Sequence, residues 1–172
     1  MKYRTFAFFS IFFLIVISSV LIPPAGFSFL TPCFSISAII YWIINKNKPL
    51  NNYHFFLLGL LNDLFLGTPL GSSSIFYFII KISIDFLESR FKKISIINYL
   101  GKFIFGISIY YFSIYIFIII YFRNYPSVSY FLMSYLLTLF TFPPVYIILN
   151  WLESKNKQVK IWKIIIKINL IK

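Results

Sequence analysis

Long apolar runs alternate with short polar stretches along this chain of 172 residues. A helix that crosses a hydrocarbon core about 30 Å thick needs roughly 20 apolar residues, and about 17 are tolerated. Six segments meet or approach that length. They predict a bundle of about six transmembrane helices at about 6–22, 28–45, 53–67, 73–89, 102–122 and 128–151. Continuous runs of this kind do not fit the short, alternating strands of an outer-membrane barrel.

Residues that end helices separate the apolar segments. Pro23, Pro24 and Gly26 end the first segment, and a polar stretch closed by Pro49 ends the second. The third segment is short and polar, so it is either a short buried helix or one that enters the membrane only part way. In the sixth, Pro143 and Pro144 are expected to bend or break the helix.

Composition strengthens the membrane assignment. Hydrophobic residues make up 60% of the chain, its mean hydropathy is +0.87, and only four acidic residues are present. A soluble globule of this size needs more polar surface, so the sequence predicts an all-α integral membrane protein. The formal charge of +12 lies mostly between the apolar runs, which argues against nucleic-acid binding. Cys33 has no second cysteine to pair with and is interpreted as a small buried apolar residue.

The basic residues predict the orientation. With a cytoplasmic N-terminus, 14 of the 16 basic residues fall on the cytoplasmic side, Arg123 stands alone on the other, and Lys81 lies within a span. The positive-inside rule then places both termini in the cytoplasm. We divide the chain into a membrane domain, 1–154, and a basic tail, 155–172. The tail is either an amphipathic helix on anionic membrane lipids or a solvated basic segment.

Few ionisable side chains fall inside the predicted spans, and each is costly there unless it is paired. Lys81 and Asp85 are four residues apart and can pair along one helix face. Asp63 can be neutralised by Lys81 or by donors at a helix end. The cluster is interpreted as an intramembrane ion pair that fixes helix packing, with a proton relay or a substrate site as alternatives. His54 is read as an interfacial side chain, with proton handling as its alternative.

No catalytic, metal or cofactor site is predicted. The sequence has one histidine, one cysteine, no glycine-rich phosphate loop and no recognisable nucleophile with its base. The most distinctive local feature is Gly67-Thr68-Pro69-Leu70-Gly71, followed by three serines. Proline and glycine favour a tight turn, and a serine can cap the helix that follows.

In order along the chain, Tyr41-Trp42 at a helix end, the stretch Gly59-Leu60-Leu61-Asn62-Asp63-Leu64 and the Pro69-Leu70-Gly71 turn resemble the central signature of the MreD family. The match covers about residues 30–75. Asn62 departs from the usual pattern, and so does the tail, which is rich in Ile and Lys. The candidate partner contacts that the resemblance suggests are Gly59, Asn62, Asp63, Gly67, Pro69 and Gly71.

The resemblance implies a non-enzymatic membrane scaffold that binds MreC. Through MreC it would join MreB, the glycan polymerase and the transpeptidase of lateral-wall peptidoglycan synthesis, and so support rod shape. It also implies a fold similar to the substrate-binding subunits of energy-coupling-factor transporters. A vitamin-binding transporter subunit is therefore the alternative function. A scaffold can be packed solid, whereas a vitamin binder needs a pocket with convergent polar and aromatic groups.

Overall fold

A computed structural model describes residues 2–20, 33–45, 49–90, 96–123 and 125–169. These residues form helices and connections, with no strand among them. The all-helical fold predicted from the sequence is confirmed, and one helix overlaps each predicted segment. The helices are α1 (Lys2–Val20), α2 (Phe34–Ile44), α3 (Asn52–Leu66), α4 (Ser72–Arg90), α5 (Ile96–Phe122) and α6 (Val128–Asn169). The predicted residues 21–22 and 28–32 lie outside the described part of the chain.

Helix α2 occupies the centre of the bundle. Every residue from Ser35 to Ile44 is buried, and α2 packs against α1, α4, α5 and α6. A helix that is apolar on all sides is expected to be surrounded by other helices. Its small residues Ser35, Ser37 and Ala38 let those neighbours approach closely.

The other helices surround α2. Helix α3 packs between α1 and α4, α4 contacts α5, and α5 contacts α6. A hydrogen bond from Tyr3 in α1 to Glu153 in α6 joins the two ends of this series. We call the end of the bundle that holds Tyr3, Asn45 and Glu153 the amino end. The opposite end, with the 67–71 turn, Cys33 and the α5–α6 connection, is called the turn end.

Three helices are long and apolar enough to cross a membrane, through Tyr3–Val20, Tyr99–Phe122 and Val128–Lys155. Helices α2 and α3, with 11 and 15 residues, are only about 16 and 22 Å long at 1.5 Å per residue, less than the hydrocarbon core. Helix α4 carries Lys81, Asp85 and Glu88. Three helices therefore support the prediction of a membrane protein. The predicted count of six spans is not shown by these three helices.

Helix α6 runs without interruption from Val128 to Asn169, with Pro143 and Pro144 inside it. Of the bend or break expected at this proline pair, the break does not occur. Both prolines are exposed, so their rings face away from the bundle. The backbone is also helical across the predicted domain boundary at 154 and along the tail to residue 169; residues 170–172 lie outside the described part.

Candidate functional site

The connection between α3 and α4 is a closed turn that depends on two glycines. Gly67 ends α3 with φ of 66°, and its N–H donates to the carbonyl of Asp63. Gly71 has φ of 93° just before α4 begins. Residues with a Cβ rarely adopt these left-handed conformations, so both glycines are required by the backbone path. The tight turn predicted from the sequence is present.

Asp63 holds this turn through its carboxylate. Thr68 Oγ1 donates to Oδ1 at 2.8 Å, and the Gly71 N–H donates to Oδ2 at 2.7 Å. The hydroxyl of Ser72 and the N–H of Ser73 donate to Oδ1, each at 3.1 Å. The first N–H groups of a helix have no partner within it, and a carboxylate there is electrostatically favourable. Asp63, itself only 1% exposed, is therefore the cap of α4.

Gly59 and Asn62 continue the same contact into the helices. A Cβ on Gly59 would lie 2.4 Å from the Cα and 2.5 Å from the backbone N of Ser74, so α3 and α4 touch backbone to backbone there. Asn62 is buried and donates from Nδ2 to Ser73 Oγ at 2.9 Å. Gly59 and Asn62 therefore make contacts between α3 and α4. Their role in binding a partner protein stays a prediction. Because both residues are buried, they would affect a partner through the shape of the α3–α4 hairpin.

Lys81 lies away from Asp63. Its amine donates to the Asn52 side chain at the start of α3 and lies 5.8 Å from the ring centre of Phe55. Asp63 is 11 residues further along α3, about 16 Å at the helical rise. Of the two partners expected for Asp63, the helix-end donors are the ones it contacts, and the Asp63–Lys81 ion pair is absent.

Asp85 and Lys81 line one small cavity of about 140 Å³, together with Trp42 and Leu50. Within the described residues the Lys81 amine reaches no carboxylate, so the pairing predicted from the four-residue spacing does not form. The lysine instead extends toward the amino end, where Asn52 accepts its hydrogen bond. An ion pair that does form links Lys102 of α5 to Glu88 of α4 at 3.0 Å.

His54 has a local structural role at the start of α3. Its Nδ1 accepts the backbone N–H of Asn51 at 3.3 Å, while the Asn51 side chain accepts a backbone N–H of the first turn. This reciprocal arrangement is a capping box. The ring also packs edge-on against Phe8, with centroids 6.1 Å apart.

Glu153 is the main polar centre that sequence reasoning missed. It is 5% exposed and lies where α1, α2 and α6 meet at the amino end. Tyr3 donates to Oε1 at 2.8 Å, and Tyr41 and Asn45 donate to Oε2 at 2.9 and 2.7 Å. A single acidic residue just beyond a predicted span was the available signal. Nothing in the sequence pairs it with Tyr41, 112 positions earlier.

Trp42 completes this centre, which we call the Glu153 cluster: Tyr3, Tyr41, Trp42, Asn45 and Glu153. The indole Nε1–H donates to Ser10 Oγ at 2.9 Å, and the ring packs edge-on against Tyr3 and Tyr41. Tyr41 and Trp42 therefore tie α2 to α6 on one side and to α1 on the other.

At the turn end, a cavity of about 300 Å³ lies between the start of α2, α5 and α6. Cys33, which is half-buried, contributes to its wall, with Sγ 3.8 Å from the Tyr110 hydroxyl. Tyr111, also in the wall, donates to the carbonyl of Ser134 at 2.9 Å and lies 2.7 Å from Thr138 Oγ1. These polar groups bond mainly to one another and hold the helices together.

Both polar centres bind helices to helices. The Asp63 carboxylate receives donors from its own turn, and the Glu153 carboxylate receives donors from two other helices. Among the described residues no three His, Cys, Asp or Glu side chains are grouped as metal ligands would be. Comparison with known proteins adds no relative: no family model, no curated protein and no solved structure matches the chain.

Proposed function

We propose that this protein is a non-enzymatic membrane scaffold of the bacterial elongation complex, which binds MreC and so supports rod shape and lateral peptidoglycan synthesis. The proposal rests on the contacts that the signature residues make between helices. Gly59, Asn62 and Asp63 make a closed hairpin, and Tyr41 with Trp42 ties α2 to two other helices. Residues used in this way give a rigid body with a fixed outer shape, which is what a scaffold needs.

The outer faces of the long helices suit partner binding within lipid. Ile120 of α5 and Phe140 and Ile147 of α6 are 72, 75 and 65% exposed. Such side chains gain little by leaving lipid for another apolar surface, so a partner helix must be held by shape and close packing. A rigid bundle keeps that shape constant, and MreB, the glycan polymerase and the transpeptidase would be reached through MreC.

The proposed topology has six passes through the inner membrane with both termini in the cytoplasm. The amino end of the bundle then faces the cytoplasm, where most of the basic residues lie. The short helix α2 is compatible with this topology because other helices shield its backbone from lipid along its length.

A vitamin-binding transporter subunit is the second candidate, favoured by the cavity at the turn end. Its volume of about 300 Å³ is at the lower end of the range for small-molecule sites, and Tyr110, Tyr111 and Tyr130 give it aromatic walls. The scaffold is preferred because Tyr111 and Cys33 direct their polar atoms to neighbouring side chains and backbone.

Depletion of the protein in its host tests the two functions together. Loss of a scaffold turns rods into spheres, and tagged MreC should recover the protein from detergent-solubilised membranes. If depleted cells keep their shape and lose uptake of a vitamin, the transporter-subunit function replaces the scaffold.

A further inference from the structure

A groove lies between α5 and α6 on the outside of the bundle, with a volume of about 470 Å³. It runs between residues 108–115 of α5 and 128–135 of α6, and we call it the α5–α6 groove. Both helices are long and apolar enough to span a membrane. Phe112 and Leu132, which line the groove, are 67 and 56% exposed. The groove therefore opens toward the region that lipid occupies around a membrane bundle.

The lining of the groove favours an apolar occupant over water. It is mainly aromatic and aliphatic, and the hydroxyls of Ser108, Tyr111 and Tyr135 are engaged with the protein. The hydroxyls of Ser108 and Tyr135 are 3.0 Å apart, and Tyr111 donates to the Ser134 carbonyl. A water molecule needs two to four polar partners to be held in such a space. An apolar chain needs none.

A lipid chain fits the groove better than a partner helix does. Helices associate in membranes where Gly, Ala or Ser lets two backbones approach closely. Here Ser108 is the one small residue in the lining, and aromatic rings such as Tyr115 and Phe131 form most of the walls. Bulky rings keep a helix backbone at a distance, whereas a flexible chain can lie between them.

A cationic side chain, Arg123, lies beyond the turn end of the groove, eight residues after Tyr115 and about 12 Å further along at the helical rise. Arg123 follows α5 directly, in the short connection to Val128, and it is exposed. Its φ of 50° is unusual for a residue with a side chain. Among the described residues no carboxylate pairs with it. A guanidinium at the membrane surface binds phosphate well, because its N–H donors match two phosphate oxygens.

We propose that the α5–α6 groove binds one acyl chain of an anionic phospholipid, with the lipid phosphate on Arg123. The lipid is then a fixed part of the bundle surface and fills the space between the turn-end halves of α5 and α6. Lipid binding in the groove requires only that the protein is inserted in a membrane, and it does not depend on the scaffold function.

Native mass spectrometry tests the proposal on the full-length protein, released from nanodiscs of equal parts phosphatidylglycerol and phosphatidylethanolamine. The wild type should retain one phosphatidylglycerol. Leu132→Trp should lose it because the indole fills the groove. Leu136→Trp, on the same helix at 48% exposure and outside the groove lining, should retain it. Arg123→Gln should reduce the preference for the anionic lipid about fivefold, the contribution of one cation near the surface.

Equal retention by the Leu132→Trp and Leu136→Trp variants would overturn the site, and equal retention of both lipids by the wild type would overturn the role of Arg123. A photoreactive residue at position 132 adds a test in cells. Cross-links to phospholipid support the proposal, whereas cross-links to a protein would show that the groove is a helix-binding surface instead.

Discussion

The hydroxyl of Tyr41 donates a 2.9 Å hydrogen bond to the carboxylate of Glu153, a residue 112 positions later in the chain. Tyr41 belongs to the central helix α2, and Glu153 belongs to α6. The bond therefore joins the centre of the protein to the helix that carries the basic tail. Because Tyr3 donates to the same carboxylate, three helices depend on one acidic side chain.

Removal of the Tyr41 hydroxyl should destabilise the bundle. We expect Tyr41→Phe to lower the free energy of unfolding by about 1–3 kcal/mol, as for other buried hydrogen bonds to a carboxylate. Denaturation of the purified protein in mixed detergent micelles would measure it. Tyr125→Phe, at a tyrosine that is 78% exposed, is the control and should change little. Equal effects at the two positions would show that the Glu153 cluster does not hold the helices.

Asp63 should matter for stability independently of Lys81. Asp63→Ala leaves the N–H groups of Gly71 and Ser73 without their acceptor, so we expect a loss of more than about 2 kcal/mol in the same assay. Lys81→Met should change stability by less than about 0.5 kcal/mol, since among the described residues Lys81 contacts Asn52 and the Phe55 ring and reaches no carboxylate. Recovery of stability in the double exchange Asp63→Lys with Lys81→Asp would contradict this division.

The contact at Gly59 predicts opposite signs for two glycine substitutions. Gly59→Ala places a methyl group 2.4 Å from the Ser74 backbone, so α3 and α4 must separate, at a cost of about 1–3 kcal/mol. Gly101→Ala, in α5, meets nothing within 4 Å and should stabilise the helix by up to about 1 kcal/mol. Thermal unfolding of the two variants would check the prediction. A stabilised Gly59→Ala variant would mean that the hairpin is looser than described.

The proposed topology predicts which positions are accessible from outside the cell. In a Cys33→Ser background, Tyr125→Cys should react with a membrane-impermeant maleimide added to intact cells, because the α5–α6 connection is periplasmic in this topology. Ser89→Cys, exposed near the opposite end of the bundle, should react only after the cells are lysed. The reverse pattern would invert the orientation.

Helix positions were predictable because apolar length and helix-ending residues act locally. The turn at 67–71 was predictable for the same reason: glycine and proline restrict or extend the backbone conformations of their own positions. The proline pair was expected to bend or break α6, and the helix continues past both exposed prolines without a break. The effect of a proline on its own backbone can be predicted from the sequence. Whether the helix continues past it depends on how the residues before and after the proline pair pack in the fold.

By itself, the sequence determined that this chain is helical, is suited to a membrane and has a tight turn after Asp63. The tertiary structure decided which residues meet: Asp63 with the start of α4 rather than with Lys81, Gly59 with Ser74, and Tyr41 with Glu153. Hydropathy and turn propensity depend on neighbouring positions, so they can be read along the chain. A hydrogen bond across 112 residues depends on how the helices are arranged around α2, and that arrangement exists only in the folded bundle.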